Sequence, residues 1–393
     1  MQSNGIFKLG LENISEQFKR TLKQQQTKIG IITNQTGIDQ QGRRNIDVLR
    51  EDGINLKAIF VPEHGLTGSG KNGAPISNAR DQKTGIPIIS LYKGESSKNT
   101  CSKKDMEKID ILIFDMQDSG MRHYTYISTL FKVLELAAKY NKKIIVLDRP
   151  NPLGGIMEGP LVEPTHISFI SIAPIPIRHG MTIGELALYF NRHILTQSAN
   201  LTIVSMQGYQ RNRGLPKLDV MLSSGLRTQQ ACYAYSFLGL LGEIKPFFIG
   251  LKTDKPFEVL MIADKYKIPA QSWQQLKRIM QKFNIDGQLT QVRNTEKDKV
   301  YTGLTIKIKN INQVSAFQLF LEIVDFFLKH KIALKFAPTF NLAVGTDQVK
   351  KYFDKHVSKK ELGQYINKNL KSFYDKAQSC FLYLPTPHIV QLS

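Results

Sequence analysis

The amino-acid sequence predicts an α/β protein with a doubly wound, mostly parallel sheet and a second, smaller α+β domain. Apolar, β-branched runs recur four times in the first 150 residues, and stretches with helical spacing separate them. Continuous apolar strands that alternate with amphipathic helices are typical of a parallel sheet covered on both faces. The alternation of apolar strands with amphipathic helices ends near residue 210, which indicates where the second domain begins.

The strands of the first domain are predicted at KIGIIT (28–33), LKAIFV (56–61), DILIFD (110–115) and KIIVLD (143–148). The helices are predicted at 11–25, 44–52, 126–140 and 183–193. The last of these follows Thr182, a favourable N-cap residue, with Glu185 placed for a capping box. A further strand, LTIVSM (201–206), completes the first domain, which we place at 1–210.

The second domain, 211–393, mixes helices with separate strands. Helices are predicted at 226–242, 271–284 and 316–330, strands near 288–293 and 301–309, and a basic helical region at 348–376. We expect this α+β domain to close a cleft against the first.

The composition narrows the function classes. The chain has 393 residues and 41% hydrophobic content, as folded proteins do. Its three cysteines, Cys101, Cys232 and Cys380, are too few and too widely spaced for a disulfide framework or a zinc cluster. No apolar run is long enough for a membrane span, and no basic-then-apolar leader is present.

The charge is strongly basic. Lysine and arginine number 53 against 33 acidic residues, a formal charge of +20 that attracts polyanions such as nucleic acid, anionic lipid or cell wall. The lysines are spread along the chain instead of clustering with aromatic residues, so nucleic-acid recognition is not expected. The oligomeric state stays open.

One segment resembles a phosphate-binding loop. In PEHGLTGSGKNG (62–73), Gly65, Gly70 and Lys71 fit the spacing G-x-x-x-x-G-K. A true phosphate loop has Ser or Thr after the lysine and opens a helix, whereas here Asn72 is followed by Gly-Ala-Pro. A nucleotide site is therefore not expected, and Glu63 and His64 become the residues of interest in this strand-end loop.

Other cofactor signatures are missing. The first strand is not followed by G-x-G-x-x-G, and no G-x-S-x-G is present, which argues against a dinucleotide enzyme and a serine hydrolase. No H-E-x-x-H occurs, so a zinc site is not expected. We expect neither a metal nor a cofactor.

Each predicted strand of the sheet is followed by a polar loop rich in glycine or proline. These loops read TNQTG, PEHGLTGSGKNG, DMQDSGMRHYTY and DRPNPLGG. In an open parallel sheet, the carboxyl ends of the strands border the crevice where ligands bind. The sequence therefore predicts a ligand site at this edge.

Carboxylates in these loops suggest glycosidic chemistry. Glu63, Asp118, Asp148 and Glu158 are candidates, and glycoside hydrolysis uses two carboxyl groups about 5 to 9 Å apart. His64 is placed to orient Glu63. The alternative is that some of these carboxylates cap helices or bind loop amides.

Cations and aromatic residues in the same loops suggest an anionic sugar. Arg122, Arg149 and Arg178 are candidates for binding a ligand carboxylate in a bidentate fork. Tyr124 and Tyr126 offer flat faces for sugar rings. Internal salt bridges and core packing are the alternatives for these residues.

Several motifs together resemble the exo-β-N-acetylmuramidase family, glycoside hydrolases of peptidoglycan fragments that were long classed as a domain of unknown function. They are VPEHGLTG, TGIPIISLY, FDMQDSGMRHYTYISTL, VLDRPNPLGG, EGP and PIPIRHGMTIGELA, in the same order and spacing, with FAPTFNLAVGTDQ similar to the closing motif. The resemblance is dense from Thr33 to Ala187. It implies a Rossmann-like larger domain, a smaller C-terminal domain, a site in the cleft between them and no cofactor.

The resemblance also implies roles for individual residues. Glu63 would be the general acid and base, one of Asp118, Glu158 and Glu243 would assist it, and Arg122 with Arg149 would hold the lactyl carboxylate of muramic acid. The expected substrate-binding residues are Asn34, His64, Gly65, Arg122, Tyr124, Tyr126, Asp148, Arg149, Asn151, Arg178 and His179.

The expected activity is release of terminal β-linked N-acetylmuramic acid from the non-reducing end of peptidoglycan fragments. The protein is then bacterial, periplasmic or secreted if a leader was removed, and otherwise cytoplasmic. The segments LSSGLRT (222–228) and GEIKPFFIGLKTDKPFE (242–258) lack asparagines and an arginine usual in the family, with Leu251 at the place of the arginine. This departure keeps open the alternative of a cell-wall sugar-binding protein without turnover.

Overall fold

The computed structural model describes residues 6–23, 27–68, 79–91, 101–211, 221–223, 225–294 and 299–392. Eight strands belong to its first part: β1 (Ile29–Ile32), β2 (Leu56–Val61), β3 (Ala79–Arg80), β4 (Pro87–Ser90), β5 (Ile111–Phe114), β6 (Lys143–Leu147), β7 (Ile156–Met157) and β8 (Asn200–Val204). All but β7 form one sheet in the order β3-β4-β2-β1-β5-β6-β8. Only the edge strand β3 is antiparallel to its neighbour. The predicted doubly wound sheet is confirmed.

Five helices accompany this sheet: α1 (Glu16–Lys23), α2 (Asn45–Glu51), α3 (Lys103–Glu107), α4 (Tyr126–Lys139) and α5 (Ile183–His193). The helix predicted at 11–25 starts later than expected. The Glu12 carboxylate instead accepts hydrogen bonds from the backbone N–H of Leu9 and Gln40, which holds a 3-10 turn at Gly10–Asn13. Ser15 Oγ then accepts from the Phe18 N–H and begins α1.

The second part of the described chain contains the strands β9 (Ile244–Lys245), β10 (Val259–Ala263), β11 (Ile285–Asp286), β12 (Leu289–Asn294), β13 (Lys299–Thr305), β14 (Lys307–Ile308), β15 (Lys335–Phe336) and β16 (His388–Ile389). Its helices are α6 (Gln229–Leu241), α7 (Ala270–Lys282), α8 (Ala316–Lys329), α9 (Phe340–Val344), α10 (Gln348–Phe353) and α11 (Lys359–Ala377). The basic region predicted at 348–376 is thus two helices, because Ser358 and Glu361 form a capping box that begins α11 anew.

The two parts pack on a shared core. One hydrophobic cluster includes Phe114 of β5, Leu130 of α4, Phe237 of α6 and Phe320 of α8. The end of the chain returns to the first part, where β16 pairs in parallel with β7. The boundary at residue 210 stays a prediction, although the second part does begin near it.

The strand order places the candidate site. From β1 the chain builds outward through β2 and β4, and then returns to the other side of β1 with β5. Ligands of open α/β sheets bind at such a switch point, outside the carboxyl ends of the strands. Asn34 follows β1, Glu63 follows β2 and Asp118 follows β5, so all three lie at this edge. Gly70 and Lys71 of the phosphate-loop pattern lie outside the described residues.

Candidate active site

Glu63 is held at the sheet edge by a tight turn. The Gly65 N–H donates to the Pro62 carbonyl at 3.1 Å, which closes a four-residue turn around Glu63 and His64. His64 has a φ of 72°, a left-handed conformation that costs a residue with a side chain about 1 kcal/mol or more. Thr125 Oγ1 donates to Glu63 Oε2 at 3.1 Å, and Glu63 is 9% exposed. Such strain in a loop that presents a carboxylate is typical of a functional site.

The two carboxylate oxygens of Asp118 differ: one accepts hydrogen bonds from the protein, and the other has no partner among the described residues. Its Oδ2 accepts from the Gly120 N–H at 2.7 Å and from His179 Nε2 at 3.3 Å. His179 Nδ1 accepts from the Met181 N–H, so the ring proton lies on Nε2. Asp118 Oδ1 is buried and has no hydrogen-bond partner in the described ranges. His179 therefore positions Asp118 and does not itself offer a free donor to a ligand.

Tyr124 and Tyr126 form a wall of the site. Their rings are 4.6 Å apart, and both hydroxyls donate to the Leu222 carbonyl, at 2.9 and 3.2 Å. Burial raises the pKa of Tyr126 to about 12, and the charge of Glu63 adds to this shift. Both tyrosines are therefore neutral and contribute faces, with their hydroxyls already engaged.

Tyr235, on α6, is a site residue that the sequence did not reveal. Its ring lies 4.8 Å from the ring of His123 and 5.0 Å from that of Phe257. Burial raises its pKa, and the charges of three candidate carboxylates, Asp118, Glu243 and Glu63, raise it further. The only sequence signal is a tyrosine within the apolar helix α6, where core packing is the ordinary interpretation.

Buried polar atoms without partners are concentrated at this edge. Asn34 Nδ2, Gln35 Oε1, Asp118 Oδ1 and both ring nitrogens of His123 make up five of the eleven such atoms among the described residues. Native proteins satisfy nearly all buried polar groups, so each exception needs an explanation. Burial lowers the pKa of His123 to about 3, so its ring is neutral and carries one N–H. A polar ligand would satisfy these atoms.

Arg122 lies inside the protein, and its predicted contact with the substrate stays a prediction. It is fully buried, and its guanidinium donates to the carbonyl oxygens of Pro160 and Ile175 and to those of Ala343 and Val344. The last two carbonyls end α9, where a cation is favoured by the helix dipole. Burial lowers the pKa of Arg122 to about 9. Its role is to attach the second part of the chain to the first.

Glu158 and Arg178 are also engaged within the protein, and their roles in catalysis and substrate binding stay predictions. Arg178 Nη1 donates to Glu158 Oε1 at 2.9 Å, with both side chains buried. Glu158 accepts from the backbone N–H of Ala316 and of Phe317, the first residues of α8. A carboxylate at a helix N-terminus satisfies amides that lack partners within the helix. Both oxygens of the Glu158 carboxylate are thus engaged within the protein.

The D-R-P-N segment is buried as well. Asp148 accepts from the Gly184 N–H and from the hydroxyls of Thr182 and Tyr383. Arg149 forms a bidentate ion pair with Asp115, with nitrogen–oxygen distances of 2.6 and 2.9 Å. Asp148 and Arg149 therefore stabilise the fold, and their predicted contact with substrate stays a prediction.

Asn151 is likewise engaged within the protein. Its Nδ2 donates to the Met181 carbonyl at 2.9 Å, and its Oδ1 accepts from the Leu153 N–H at 2.8 Å. Glu243, in contrast, is only half-buried, and its carboxylate accepts from Thr339 Oγ1 while acting on Tyr235. The residues that the structure gathers at the candidate site are Asn34, Glu63, His64, Gly65, Asp118, Tyr124, Tyr126, Tyr235 and Glu243, with His179 behind Asp118.

The described ranges hold no group of three or more His, Cys, Asp or Glu side chains arranged to bind a metal ion. None of their helices combines the length and the apolar character needed to cross a membrane.

Family models match most of the chain. Residues 29–224 match the model described as exo-beta-N-acetylmuramidase NamZ, N-terminal, and residues 233–383 match its C-terminal counterpart. A peptidoglycan beta-N-acetylmuramidase NamZ of Bacillus subtilis (strain 168) is 39% identical over 256 residues. That alignment covers 64% of this chain and 60% of the relative, so it spans less than two thirds of the relative's length.

Two solved structures share the fold. Both are DUF1343 family proteins of Bacteroides fragilis NCTC 9343, each 28% identical to this chain. Each comparison covers 96% of this chain and 99% of the other, with TM-scores of 0.82 and 0.73. The match extends through both parts of the chain, including the strand-end edge where the candidate carboxylates lie.

Proposed function

This chain belongs to the exo-β-N-acetylmuramidase NamZ family, and on that premise we propose that it is a glycoside hydrolase of peptidoglycan fragments. Its reaction releases terminal β-linked N-acetylmuramic acid from the non-reducing end. One observation carries the proposal beyond the family: Glu63 follows β2 and Asp118 follows β5, the strands on the two sides of β1, so both carboxylates lie at the switch point of the sheet. Carboxylates gathered around one site are what glycoside hydrolysis requires.

Glu63 is the general acid and base of the proposed reaction. The turn at Pro62 and Gly65 fixes its backbone, and Thr125 holds one carboxyl oxygen. In its protonated form it donates a proton to the glycosidic oxygen as the bond breaks, and as a carboxylate it accepts a proton from the attacking water. A positioned group of this kind contributes about 10²- to 10⁴-fold to the rate.

The aromatic side chains supply the sugar-binding surface. Tyr124 and Tyr235 have ring centroids 6.2 Å apart, with their planes nearly perpendicular, and together they form a corner beside Asp118. Arg122 and Arg149 are engaged inside the protein, so we no longer assign them to the lactyl carboxylate. His64, which is partly exposed next to Glu63, is a polar group in reach of the same sugar.

The proposed partners are muramic acid saccharides derived from peptidoglycan. The charge of +20 favours encounter with the anionic cell wall. We therefore propose that the protein works in the periplasm or outside the cell if a leader is removed, and in the cytoplasm otherwise.

The test is release of a chromophore from a β-N-acetylmuramide, run beside the matching β-N-acetylglucosaminide. We expect release from the muramide alone, and its loss in Glu63→Gln. An exposed carboxylate on α4 provides the control, because Glu135→Gln leaves the site untouched. Calorimetric binding of N-acetylmuramic acid by a folded protein that releases no chromophore would instead support the sugar-binding protein without turnover.

A further inference from the structure

We propose that the acetamido group of the substrate is itself the nucleophile, and that Asp118 is the catalytic residue that orients and polarises it. This inference rests on the proposed function and specifies how the reaction proceeds at the same site. Glycoside hydrolases that use the substrate in this way are a known exception to the pair of catalytic carboxylates.

The first argument is the state of Asp118. It is 5% exposed, and its Oδ2 is fixed by the Gly120 N–H and by the His179 ring. Its Oδ1 has no partner in the described part of the chain. Burying a carboxylate oxygen without a donor is costly, so a site that retains one is built for a donor that arrives with the ligand. The N–H of a 2-acetamido group is such a donor.

The second argument is the set of donors nearby. Asn34 Nδ2 and one N–H of the neutral His123 ring are buried without partners in the described ranges. Thr36 connects Asn34 to the segment before Asp118, because its hydroxyl donates to Asn34 Oδ1 and accepts from the Gln117 N–H. An unpartnered acceptor beside unpartnered donors complements an amide, which has one N–H and one carbonyl oxygen.

Tyr235 lies against the loop that carries Asp118. Its ring is 6.2 Å from that of Tyr124 and 4.8 Å from that of His123, both of which follow Asp118 in that loop. The hydroxyl of a tyrosine donates a hydrogen bond, and such a bond to the acetamido oxygen would orient that oxygen toward the anomeric carbon.

The bonds change in two steps. Glu63 gives its proton to the glycosidic oxygen, the bond between that oxygen and C1 breaks, and a lone pair of the acetamido oxygen forms a bond to C1. The resulting oxazolinium ion carries positive charge at its N–H, which the Asp118 carboxylate stabilises. Water then attacks C1 and gives a proton to the Glu63 carboxylate, the bond from C1 to the acetamido oxygen breaks, and the acetamido group is restored. The product retains the β configuration.

The test replaces the N-acetyl group of a chromogenic β-muramide with its mono-, di- and trifluoroacetyl analogues. Fluorine withdraws electrons from the amide oxygen and weakens it as a nucleophile. We expect kcat/KM to fall by about 1000-fold across the series in the unmodified protein, close to 4 kcal/mol of barrier. A flat series, or a product that NMR shows to be the α anomer when first formed, would overturn the inference.

The variant Asp118→Asn gives a second readout. Asn keeps the shape but loses the charge that stabilises the oxazolinium ion, so we expect a loss of about 100-fold in kcat and a weaker dependence on fluorine. Unchanged kcat in the variant would contradict the role of Asp118. If the parent muramide is not hydrolysed at all, the proposed function itself fails, which distinguishes that failure from a flat series in an active enzyme.

Discussion

Two regions of this molecule carry the same kinds of residue in similar loops. They differ in whether the buried polar atoms of those residues have hydrogen-bond partners within the protein. The site edge, formed by residues 33–36, 62–65 and 115–119, contains buried polar atoms without partners among the described residues. The interdomain seam, formed by Arg122, Asp148, Glu158 and Arg178, uses its charges on carbonyl oxygens, backbone amides and ion pairs within the protein. Residue type does not separate catalytic from structural groups here. Unmet hydrogen bonding is concentrated at the site edge, where it includes a carboxylate oxygen of Asp118, whereas among the four seam side chains of the described residues only Nε of Arg178 lacks a partner.

The seam shows why a loop rich in charged residues need not bind a ligand. Glu158 meets the N-terminus of α8, and Arg122 meets the C-terminus of α9. Each charge has the sign that its helix end favours. In the sequence these residues resemble a carboxylate-binding cluster. In the fold they form hydrogen bonds and ion pairs that hold the two parts of the chain together.

The largest expected effect lies at the site edge. Glu63→Gln removes the proton that the leaving group needs, so kcat should fall by about 1000-fold. The melting temperature should stay close to that of the unmodified protein, because Gln keeps the shape of Glu63 and an oxygen that can accept from the Thr125 hydroxyl. Steady-state kinetics with thermal unfolding checks this. Full turnover in the variant would show that another residue is the general acid.

The opposite pattern is expected in the seam. Glu158→Gln leaves the buried Arg178 without its counterion, and the free energy of unfolding should fall by about 3 to 5 kcal/mol. Turnover per folded molecule should be unchanged. Denaturant unfolding and kinetics on the folded fraction measure the two quantities. A variant that is stable but inactive would return Glu158 to the active site.

The sequence was sufficient for the sheet and for the edge at which the candidate site lies. The four apolar runs became β1, β2, β5 and β6, and the loops that follow them do meet. The division of charged residues between site and seam was not predictable. It depends on where the ends of α8 and α9 dock, more than 130 residues further along the chain. Tyr235 was missed because a tyrosine in an apolar helix carries no sign of its neighbours.

The free energy of unfolding should depend on pH through Asp148, a buried carboxyl group of the seam. Burial raises the pKa of Asp148 to about 6, above its ordinary value of 3.8. The folded state therefore binds this proton more tightly than the unfolded state, and the stabilisation present below pH 4 is lost as the pH rises through 6. The loss is on the order of 3 kcal/mol.

Asp148→Asn tests this, since Asn resembles the protonated form and has no proton to lose. The difference in unfolding free energy between the variant and the unmodified protein should shift by that amount, in favour of the variant, between pH 4 and 7. Denaturant unfolding across this range measures it. Parallel pH profiles would show that Asp148 titrates alike in both states.

The smallest expected effect concerns Tyr235. Tyr235→Phe keeps the ring that faces His123 and Phe257 but removes the hydroxyl. We expect kcat to fall about tenfold, the effect of one hydrogen bond to the reacting group, with KM and stability nearly unchanged. Kinetics beside Tyr233→Phe, a change on the same helix, gives the matched comparison. Equal effects of the two substitutions on kcat would show that Tyr235 contributes to core packing and not to the reaction.

The most direct test of the distinction between site edge and seam is a crystal structure of Glu63→Gln with an intact β-N-acetylmuramide. The account predicts the glycosidic oxygen within hydrogen-bond distance of residue 63 and the acetamido N–H on Asp118 Oδ1, with Arg122 and Glu158 still bonded to the ends of α9 and α8. A sugar bound against the seam, or bound with Asp118 Oδ1 unoccupied, would contradict it.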